Sequence, residues 1–311
     1  MIEAVFEDLS LKHKVIKEVE GLMAPQGIFA SNTSALPITD LAQAAQNKDK
    51  FIGLHFFSPA SVMPLVEIIE PEAVSQDTVQ RAWKFCREIG KTPVIVGDGY
   101  GFFTTRVFAA YILEGAECVA QGYAPALIEW AARSAGMAVS PLKVFDEVTI
   151  TLGMHAMKMR RLYDLPITHE AGLKVLEHLH QEGRVGKAVG QGFYDYKGKE
   201  KSLWSGLQHY HKPDQSKDLA SMQFRLLLVQ ALEAARCLEE GVLRTAVDGD
   251  VASILGLGFA PNTGGVFAWM DQQGLDQVIE QASQLHAQDM PQFAVPQLLI
   301  DMQQNQQSFF D

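Results

Sequence analysis

FIGLHFFSPASVMPLVEIIE, residues 51–70, contains two short apolar runs separated by a turn-rich SPAS segment. Each run is rich in β-branched or aromatic residues and is bounded by residues that break regular structure, which is typical of a β-strand. His55 lies inside the first run and Glu67 inside the second. The stretch therefore predicts two strands, each carrying one ionisable side chain in an apolar setting.

The alternation of side chains along a strand places Glu67 on the same face as Leu65 and Ile69. A carboxylate without a partner in such a setting costs several kcal/mol or stays protonated, so Glu67 needs a partner. If the two strands run antiparallel, the intervening turn brings His55 within reach. A carboxylate behind an imidazole fixes its tautomer and makes it a usable general base or acid. The same residues also fit a His–Glu pair that only stabilises a core.

Upstream of this stretch, the chain alternates between strand and helix patterns. A helix is predicted after the first apolar run because apolar residues recur at helical spacing, at Leu11, Val15, Val19 and Leu22. A strand near residues 28–30 then leads into a short helix from about Ile38. This strand–helix–strand order predicts a parallel sheet.

A polar turn, Ser31–Ser34, follows the carboxyl end of the predicted strand near residues 28–30. Open α/β sheets bind their ligands at that end of the strands, which makes the turn a candidate for ligand contacts. Helix N-caps and tight turns use the same residue types, so a purely structural role fits the turn equally well.

Overall composition narrows the class of protein. The chain has 311 residues, of which 47% are hydrophobic and 20% are charged, as in a globular protein with room for two or three domains. Its formal net charge of −11 argues against a surface for nucleic acid or anionic membranes. The three cysteines are widely spaced and form no metal or disulfide pattern, which predicts a reducing, cytoplasmic compartment. No apolar run approaches a membrane span.

The second half of the chain is dominated by helical periodicity and contains an internal repeat. Four residues recur in register at one constant offset: Arg106, Glu114, Cys118 and Gly122 return as Arg225, Glu233, Cys237 and Gly241. In each copy a long helix ends at a glycine, and a second helix leads to a turn with proline and glycine. Two related helical units are expected to pack against each other. Thr105 in the first copy corresponds to Phe224 in the second, which predicts one functional and one structural copy.

With these residues the chain resembles the 3-hydroxyacyl-CoA dehydrogenase family, in the long form found in fatty-acid oxidation multienzyme proteins. The resemblance covers almost the whole chain, and its motifs are specific only in combination. They are IEAVFED (2–8), SNTS (31–34), GLHFFSP (53–59), PLVEII (64–69), GYGFFTTR (99–106), GQGFYDY (190–196), EAARCLEEG (233–241) and ILGLGFAP (254–261).

The resemblance implies roles for individual residues. His55 would be the base that takes the proton of the substrate 3-hydroxyl while a hydride leaves for NAD, and Glu67 would pair with it. Ser34 would contact the reacting oxygen of the substrate. Thr105 stands where many relatives carry asparagine, and its hydroxyl has a shorter reach to a carbonyl oxygen. Three more residues match positions that line the cofactor or substrate cleft: Glu7, Lys12 and Asn32.

The chain departs from the family pattern in two further places. Ser58 follows the HFF motif where others carry asparagine, and either residue can form a hydrogen bond. The nucleotide fingerprint, a strand followed by GxGxxG, is absent. The segment GDGYGFF (97–103) is interpreted as a domain-boundary turn, and VGQGFYDY (189–196) lacks the strand–turn–helix context. We therefore expect an N-terminally truncated member of the family that binds NAD weakly or not at all.

The expected fold is α/β plus all-α. The resemblance implies the distal part of a Rossmann-type dinucleotide-binding sheet over residues 1–98. Two tandem helical C-terminal domains follow, over 99–198 and 218–311, and fold back as an internal pseudo-dimer. The polar segment Lys197–Asp218 is the predicted linker.

The function implied by the resemblance is NAD-dependent oxidation of (S)-3-hydroxyacyl-CoA to 3-ketoacyl-CoA in fatty-acid β-oxidation. The implied partners are the acyl-CoA substrate and a thiolase subunit, and an exposed sheet edge at residues 1–6 makes a homodimer plausible. One alternative is a non-catalytic module that binds acyl-CoA or a subunit and retains the old site. Another is a different acyl-CoA or hydroxy-acid chemistry on the same helical fold.

Overall fold

The computed structural model describes residues 1–310, which form an α/β unit and a helical unit. The α/β unit comprises Met1–Arg106 together with Ala234–Leu257. The helical unit comprises residues 107–233 and those from 258 onward. A segment of the second helical copy therefore belongs to the unit built around the sheet. The domain limits predicted from the sequence divide the chain differently and stay predictions.

The α/β unit is built on a five-stranded sheet with the strand order β1-β2-β3-β4-β5. The first three strands are parallel, β4 is antiparallel to β3, and β5 is parallel to β4. The antiparallel pairing of the two runs in residues 51–70 and the parallel sheet upstream are thus confirmed. The strands are β1 (Ile2–Glu3), β2 (Phe29–Ser31), β3 (Phe51–Phe56), β4 (Leu65–Glu70) and β5 (Thr92–Gly97).

Three helices connect these strands: α1 (Leu9–Glu20), α2 (Ile38–Ala42) and α3 (Gln76–Glu88). The first two were predicted in the sequence analysis, α1 from its apolar spacing and α2 as the short helix from about Ile38. The side chain of Asp8 caps α1 by accepting the backbone N–H of Leu11 at 2.8 Å. Ser75 caps α3 in the same way through the N–H of Thr78. Such caps satisfy first-turn amides that lack an intrahelical acceptor.

The buried face of α1 differs from the predicted one. Leu11 and Leu22 are exposed, whereas Lys12 and Ile16 are fully buried. Lys12 turns inward because its ammonium group lies 3.0 Å from the carboxylate of Glu3 on β1. The apolar spacing predicted the helix correctly and its face wrongly, since a buried ion pair leaves no trace in a hydrophobic pattern.

The two faces of the sheet pack against different layers. One face packs against α3 in a core that contains Ile52, Leu54, Val66, Ile68, Val79, Ala82 and Cys86. The opposite face carries Gly53 and His55 from β3, because successive strand residues alternate. A Cβ atom at Gly53 would lie 2.8 Å from the Cδ1 atom of Ile38, so glycine lets α2 approach closely. The ionisable pair therefore lies on the face away from α3.

Residues 234–257 cover part of that second face. They contain the end of α9 (Leu219–Glu239), a turn at Gly241 with a φ of 74°, and α10 (Ala246–Leu257). The N–H of Gly97, the last residue of β5, donates to the carbonyl of Val242 at 2.7 Å. This segment of the second copy is therefore joined directly to the end of the sheet.

Close packing and charge hold the same segment in place. A Cβ atom at Gly256 of α10 would lie only 2.5 Å from the Cδ2 atom of Leu65, so a larger residue does not fit there without movement. Arg106 pairs with Glu240 at 2.5 Å, and Arg244 pairs with Glu70. The α10 helix thus packs against Leu65 at the start of β4.

The helical unit contains the rest of both repeats. Two of its helices, α4 (Thr104–Gln121) and α9, are shared with the sheet unit. The others are α5 (Pro125–Ser134), α6 (Pro141–Val148), α7 (Ile150–Leu162), α8 (Glu170–Gln181), α11 (Val266–Gln273), α12 (Leu275–His286) and α13 (Gln297–Gln304). The long helix of each copy ends at a glycine in the left-handed region, Gly122 after α4 and Gly241 after α9. This agrees with the repeat seen in the sequence.

The predicted linker is partly structured. A hairpin of β6 (Tyr194–Lys197) and β7 (Glu200–Leu203) enters it, and a short 3₁₀ turn, Ser205–His209, follows. The N–H of Trp204 donates to the carbonyl of Phe193 at 2.9 Å, and Leu207 is buried beneath the turn. Polar composition hid this hairpin, because an antiparallel pair can leave one face in water.

None of the helices within residues 1–310 is both long and apolar enough to cross a bilayer. The same part of the chain contains no cluster of histidine, cysteine, aspartate and glutamate arranged to hold a metal ion. The three cysteine side chains, Cys86, Cys118 and Cys237, are buried.

Inside the helical unit the two repeat copies meet at a buried carboxylate. Glu114 of α4 lies 2.5 Å from Arg225 of α9, 3.2 Å from His169 and 2.9 Å from Gln292. Burial alone would raise the pKa of Glu114, but Arg225, followed by His169 and Gln292, outweighs it and holds the pKa at about 2. Glu114 and Arg225 are repeat positions, one from each copy, so the predicted packing of the copies is confirmed at this contact.

We expect Glu114→Gln to destabilise the protein by about 3 kcal/mol at neutral pH, because it removes a fully buried carboxylate with a lowered pKa. A lowered folded-state pKa contributes stability that is complete above the ordinary value of 4.5 and is lost as the pH falls toward 2. The difference in unfolding free energy between wild type and variant should therefore shrink over that interval. Urea titrations at several pH values measure it.

The matched control is Glu18→Gln on α1, where the carboxylate is exposed and lies 3.9 Å from Lys14. Such surface pairs contribute about 0–1 kcal/mol. If Glu114→Gln were as stable as this control at neutral pH, the buried contact would not hold the copies together.

Candidate active site

His55 and Glu67 are directly opposed residues of β3 and β4. The Nδ1 atom of His55 lies 2.7 Å from Oε2 of Glu67, and the predicted hydrogen bond is thereby confirmed. Glu67 is fully buried, and His55 is 6% exposed. Because an ionised carboxylate only accepts hydrogen bonds, it fixes the proton of a neutral imidazole on Nδ1. Nε2 is left as the basic atom, and it has no hydrogen-bond partner within residues 1–310.

A second set of donors to Glu67 comes from Thr104, the first residue of α4. Its backbone N–H donates to Oε1 at 2.8 Å, and its hydroxyl donates to Oε2 at 2.5 Å. Glu67 thus closes the N-terminus of α4, where amides lack acceptors and the helix dipole favours negative charge. Thr104 was not among the predicted site residues. Its one sequence signal is that FFTTR begins a helix, which does not identify the carboxylate that it contacts.

Two aromatic rings enclose the imidazole. The ring centroids of Phe57 and Phe102 lie 4.5 Å and 6.2 Å from that of His55. Phe102 is fully buried and has a φ of 47°. A non-glycine residue occupies this left-handed region at a cost of about 1–3 kcal/mol. The bend lies two residues before Thr104, at the point where the chain turns into α4.

The turn Ser31–Ser34 lies beside His55. The Oδ1 atom of Asn32 accepts the backbone N–H of Phe56, the neighbour of His55 on β3, at 2.7 Å. The Nδ2 atom of Asn32 and the hydroxyl of Ser34 have no hydrogen-bond partner in the part of the chain that the structure describes. The side-chain amide of Asn32 and the hydroxyl of Ser34 are therefore available to a ligand.

The backbone of Ser34 is held on both sides. Its N–H donates to Oε1 of Glu7 at 3.1 Å, and its carbonyl accepts the hydroxyl of Thr105 at 2.8 Å. The Thr105 hydroxyl is thus engaged by a protein carbonyl. Its counterpart in the second copy, Phe224, packs on Trp269 with ring centroids 5.1 Å apart. The second copy therefore has no hydroxyl at that position, as the repeat comparison indicated.

Lys12 lies behind this turn. Its ammonium group is fully buried and contacts the carboxylates of Glu3 at 3.0 Å and Glu7 at 3.4 Å and the carbonyl of Val5 at 3.2 Å. Glu7 in turn accepts the hydroxyl of Thr33. Lys12 and Glu7 thus brace the turn from behind. The other predicted site residues gather around the carboxyl ends of β2 and β3: Asn32, Ser34, His55, Glu67 and Thr105.

The free polar groups of Asn32 and Ser34 fit only one end of a nicotinamide dinucleotide. The amide of Asn32 and the hydroxyl of Ser34 have hydrogen-bonding capacity left for its reacting end. The glycine-rich turn after β5 does not fit the phosphates, because the N–H groups of Gly97 and Gly101 donate to the carbonyls of Val242 and Ala35. Within residues 1–310 no other turn from a sheet strand into a helix contains glycines in series.

A buried carboxylate behind an imidazole, at the carboxyl ends of parallel strands in a Rossmann-like sheet, defines a general-base site on a dinucleotide-binding type of fold. Residues 1–99 match the family model of the 3-hydroxyacyl-CoA dehydrogenase NAD binding domain, and residues 101–196 match that of the C-terminal domain. The chain belongs to the 3-hydroxyacyl-CoA dehydrogenase family, a family of oxidoreductases. The resemblance seen in the sequence is confirmed.

Individual relatives agree with this family. The fatty acid oxidation complex subunit alpha of Vibrio vulnificus is 36% identical over 318 residues, covering 100% of this chain and 44% of that protein. The chain thus spans less than half the length of this relative. The 3-hydroxybutyryl-CoA dehydrogenase of Escherichia coli K12 shares the fold, with a TM-score of 0.83 and 22% identity over 96% of this chain and 80% of that one. The (S)-3-hydroxybutyryl-CoA dehydrogenase PaaH1 of Ralstonia eutropha has a TM-score of 0.59 and 29% identity over 63% and 70%.

Replacing Lys12 by methionine should destabilise the protein by about 3–5 kcal/mol, because it leaves the buried carboxylate of Glu3 without its cation. Urea unfolding at neutral pH measures the loss. Lys14→Met on the same helix is the matched control, since that side chain is 72% exposed and its surface pair contributes about 0–1 kcal/mol. Equal stability of the two variants would show that the Lys12 ammonium does not brace the turn.

Proposed function

We propose that this chain supplies the base and the substrate-oxygen contacts for oxidation of (S)-3-hydroxyacyl-CoA to 3-ketoacyl-CoA, with NAD as the hydride acceptor. The observation that carries the proposal is the state of His55. Its Nδ1 atom is held by Glu67, while Nε2 has no hydrogen-bond partner within residues 1–310, and the residue as a whole is 6% exposed. A positioned base needs this combination of a fixed tautomer and an available lone pair.

In this reaction Nε2 of His55 takes the proton of the 3-hydroxyl, and the electron pair of the O–H bond becomes part of the new carbonyl. Glu67 stabilises the imidazolium through the Nδ1–H bond. The Ser34 hydroxyl donates to the reacting oxygen. The Thr105 hydroxyl orients Ser34 by donating to the backbone carbonyl of Ser34. The chemistry that bound NAD⁺ supplies is acceptance of the hydride from C3. The products are 3-ketoacyl-CoA, NADH and a proton.

We assign the cofactor contact at the nicotinamide end to Asn32, through its Nδ2 atom. Glu7 and Lys12 act indirectly, because their charged groups are engaged in holding the turn that presents Asn32 and Ser34. This assignment separates residues that would touch ligands from residues that would position them.

The wider context is also part of the proposal. The V. vulnificus relative is named as the alpha subunit of a complex, which supports a partner subunit, and a thiolase would consume the 3-ketoacyl-CoA product. Strand β1 lies at an edge of the sheet, which supports self-association by strand pairing. The buried cysteines suit a reducing, cytoplasmic compartment.

For the domain limits we propose those predicted from the sequence: a sheet domain at residues 1–98 and helical domains at 99–198 and 218–311.

A second candidate function is a non-catalytic module that binds acyl-CoA or a subunit. One observation favours it. The amides of the glycine-rich turn after β5 are engaged within the protein, so within residues 1–310 that turn does not cradle dinucleotide phosphates. Turnover by the chain separates the two functions.

Because we expect NAD to bind weakly, we expect the 311-residue chain to oxidise NADH in the presence of acetoacetyl-CoA only at high NADH concentration. In this reverse direction His55 gives its proton to the ketone oxygen, and His55→Gln should lower kcat by about 10²–10⁴-fold, the usual contribution of a positioned general acid or base. The absorbance of NADH measures the rate. His209→Gln, at an exposed histidine of the 3₁₀ turn, is the control and should keep wild-type turnover.

Two outcomes would contradict the proposal. A His55→Gln variant with wild-type kcat would remove His55 from the chemistry. A wild-type chain that binds acetoacetyl-CoA in calorimetry but oxidises no NADH, even at saturating NADH, would favour the non-catalytic module.

A further inference from the structure

We propose that Thr104 is a positioning residue whose hydroxyl tunes the basicity of the His55–Glu67 pair. The inference rests on the proposed role of His55 as the base. The hydroxyl of Thr104 and the Nδ1–H of His55 donate to the same atom, Oε2 of Glu67, at 2.5 Å and 2.7 Å. Two donors on one carboxylate oxygen share its electron density, so each hydrogen bond weakens the other hydrogen bond.

The surroundings of Glu67 leave Thr104 as the one further modulator. On β5 the residue in register with Glu67 is Val94, and α10 presents Gly256 to the neighbouring Leu65. His55 is the only titratable side chain that contacts the Glu67 carboxylate within residues 1–310. The charge on Glu67 is therefore balanced by one imidazole, one helix N-terminus and one hydroxyl.

Packing fixes the direction of that hydroxyl. Thr104 is fully buried, and its Cγ2 methyl group faces α10, since a Cβ atom added at Gly256 would lie 3.5 Å from it. The same added atom would lie 3.6 Å from the ring of Phe57, which is tilted by 43° against the His55 ring at a centroid distance of 4.5 Å. A β-branched side chain has few χ1 choices, so a methyl group held against α10 keeps the hydroxyl on Glu67.

Loss of the hydroxyl has a definite chemical consequence. With Thr104→Val, Oε2 serves His55 alone, and the Nδ1–H bond strengthens because its acceptor is richer in electrons. A stronger bond from Nδ1–H stabilises the imidazolium more than the neutral ring, so Nε2 holds a proton up to higher pH. At neutral pH a larger share of His55 is then protonated and unable to accept the substrate proton.

The test compares Thr104→Val with Thr104→Ser. In the oxidation of (S)-3-hydroxybutyryl-CoA by NAD⁺, which needs the neutral imidazole, the valine variant should move the acid limb of the kcat/KM profile to higher pH by roughly half a unit. On that limb kcat/KM should therefore fall about threefold. The KM for (S)-3-hydroxybutyryl-CoA should stay within about twofold, because the buried Thr104 hydroxyl donates to Glu67 and not to a ligand. Serine restores the hydroxyl and should return both readouts toward wild type.

Thr78→Val is the control for the loss of a buried hydroxyl. Thr78 is 1% exposed in the same unit, and its hydroxyl donates to the carbonyl of Asp49 at 2.8 Å, away from the site. This variant should lose stability without any move of the pH profile. If Thr104→Val does not fold, Thr104→Cys, a weaker donor, should show the same shift in smaller degree.

NMR titration of the His55 ring in the unliganded chain separates this inference from the proposed function. If the wild-type chain is inactive but the titration midpoint of His55 is higher in Thr104→Val than in wild type, the proposed function fails and the tuning by Thr104 holds. If Thr104→Val keeps the wild-type midpoint and pH profile, or if Thr104→Ser shifts as valine does, the hydroxyl has no tuning role and the inference is wrong.

Discussion

A carboxylate in the dry interior of a sheet stays ionised only when donors replace the water that it has lost. Glu67 meets that requirement with three hydrogen bonds, one from His55 and two from Thr104. The donors come from β3 and from the first residue of α4, so the sheet and the helix that follows it are joined at one charged group. The strained backbone of Phe102 lies in the turn that joins them. The same carboxylate, Glu67, thus orients His55 and accepts the first hydrogen bonds of α4.

The same requirement recurs at two other places, each time between elements far apart in the chain. Glu3 and Glu7 surround Lys12, and this ion pair fixes both the face of α1 and the position of the turn beside His55. Glu114 and Arg225 join the long helices of the two repeats. Replacing such a pair by apolar residues can be neutral, whereas breaking it is costly. In each case the buried ion pair joins elements that are distant in the chain, so breaking it costs stability and loosens the contact between those elements.

The sequence predicted those features that have a fixed period. Strand alternation and one short turn were enough to place His55 opposite Glu67, and helical spacing with glycine stops was enough to find the repeat. Features decided by tertiary contact were not predictable. Thr104 was missed because no local pattern says which carboxylate a helix start will meet. The face of α1 was wrong because Lys12 is buried by a partner on another strand. The two repeats have the same sequence pattern, so nothing in the sequence indicated that residues 234–257 of the second copy pack with the sheet.

That last feature bears on how the protein acquires its site during synthesis. The α/β unit is discontinuous, since its first part ends at Arg106 and its second part begins only at Ala234. On the ribosome the strands emerge early, while the helix that covers Leu65 emerges after most of the helical unit. A nascent sheet therefore presents an apolar face, and Glu67 and His55 beside it, to water until α10 arrives. Contacts across so long a stretch of chain form late and slowly, and such exposed intermediates are prone to aggregate. The dry environment of the base is thus among the last properties that the growing chain acquires.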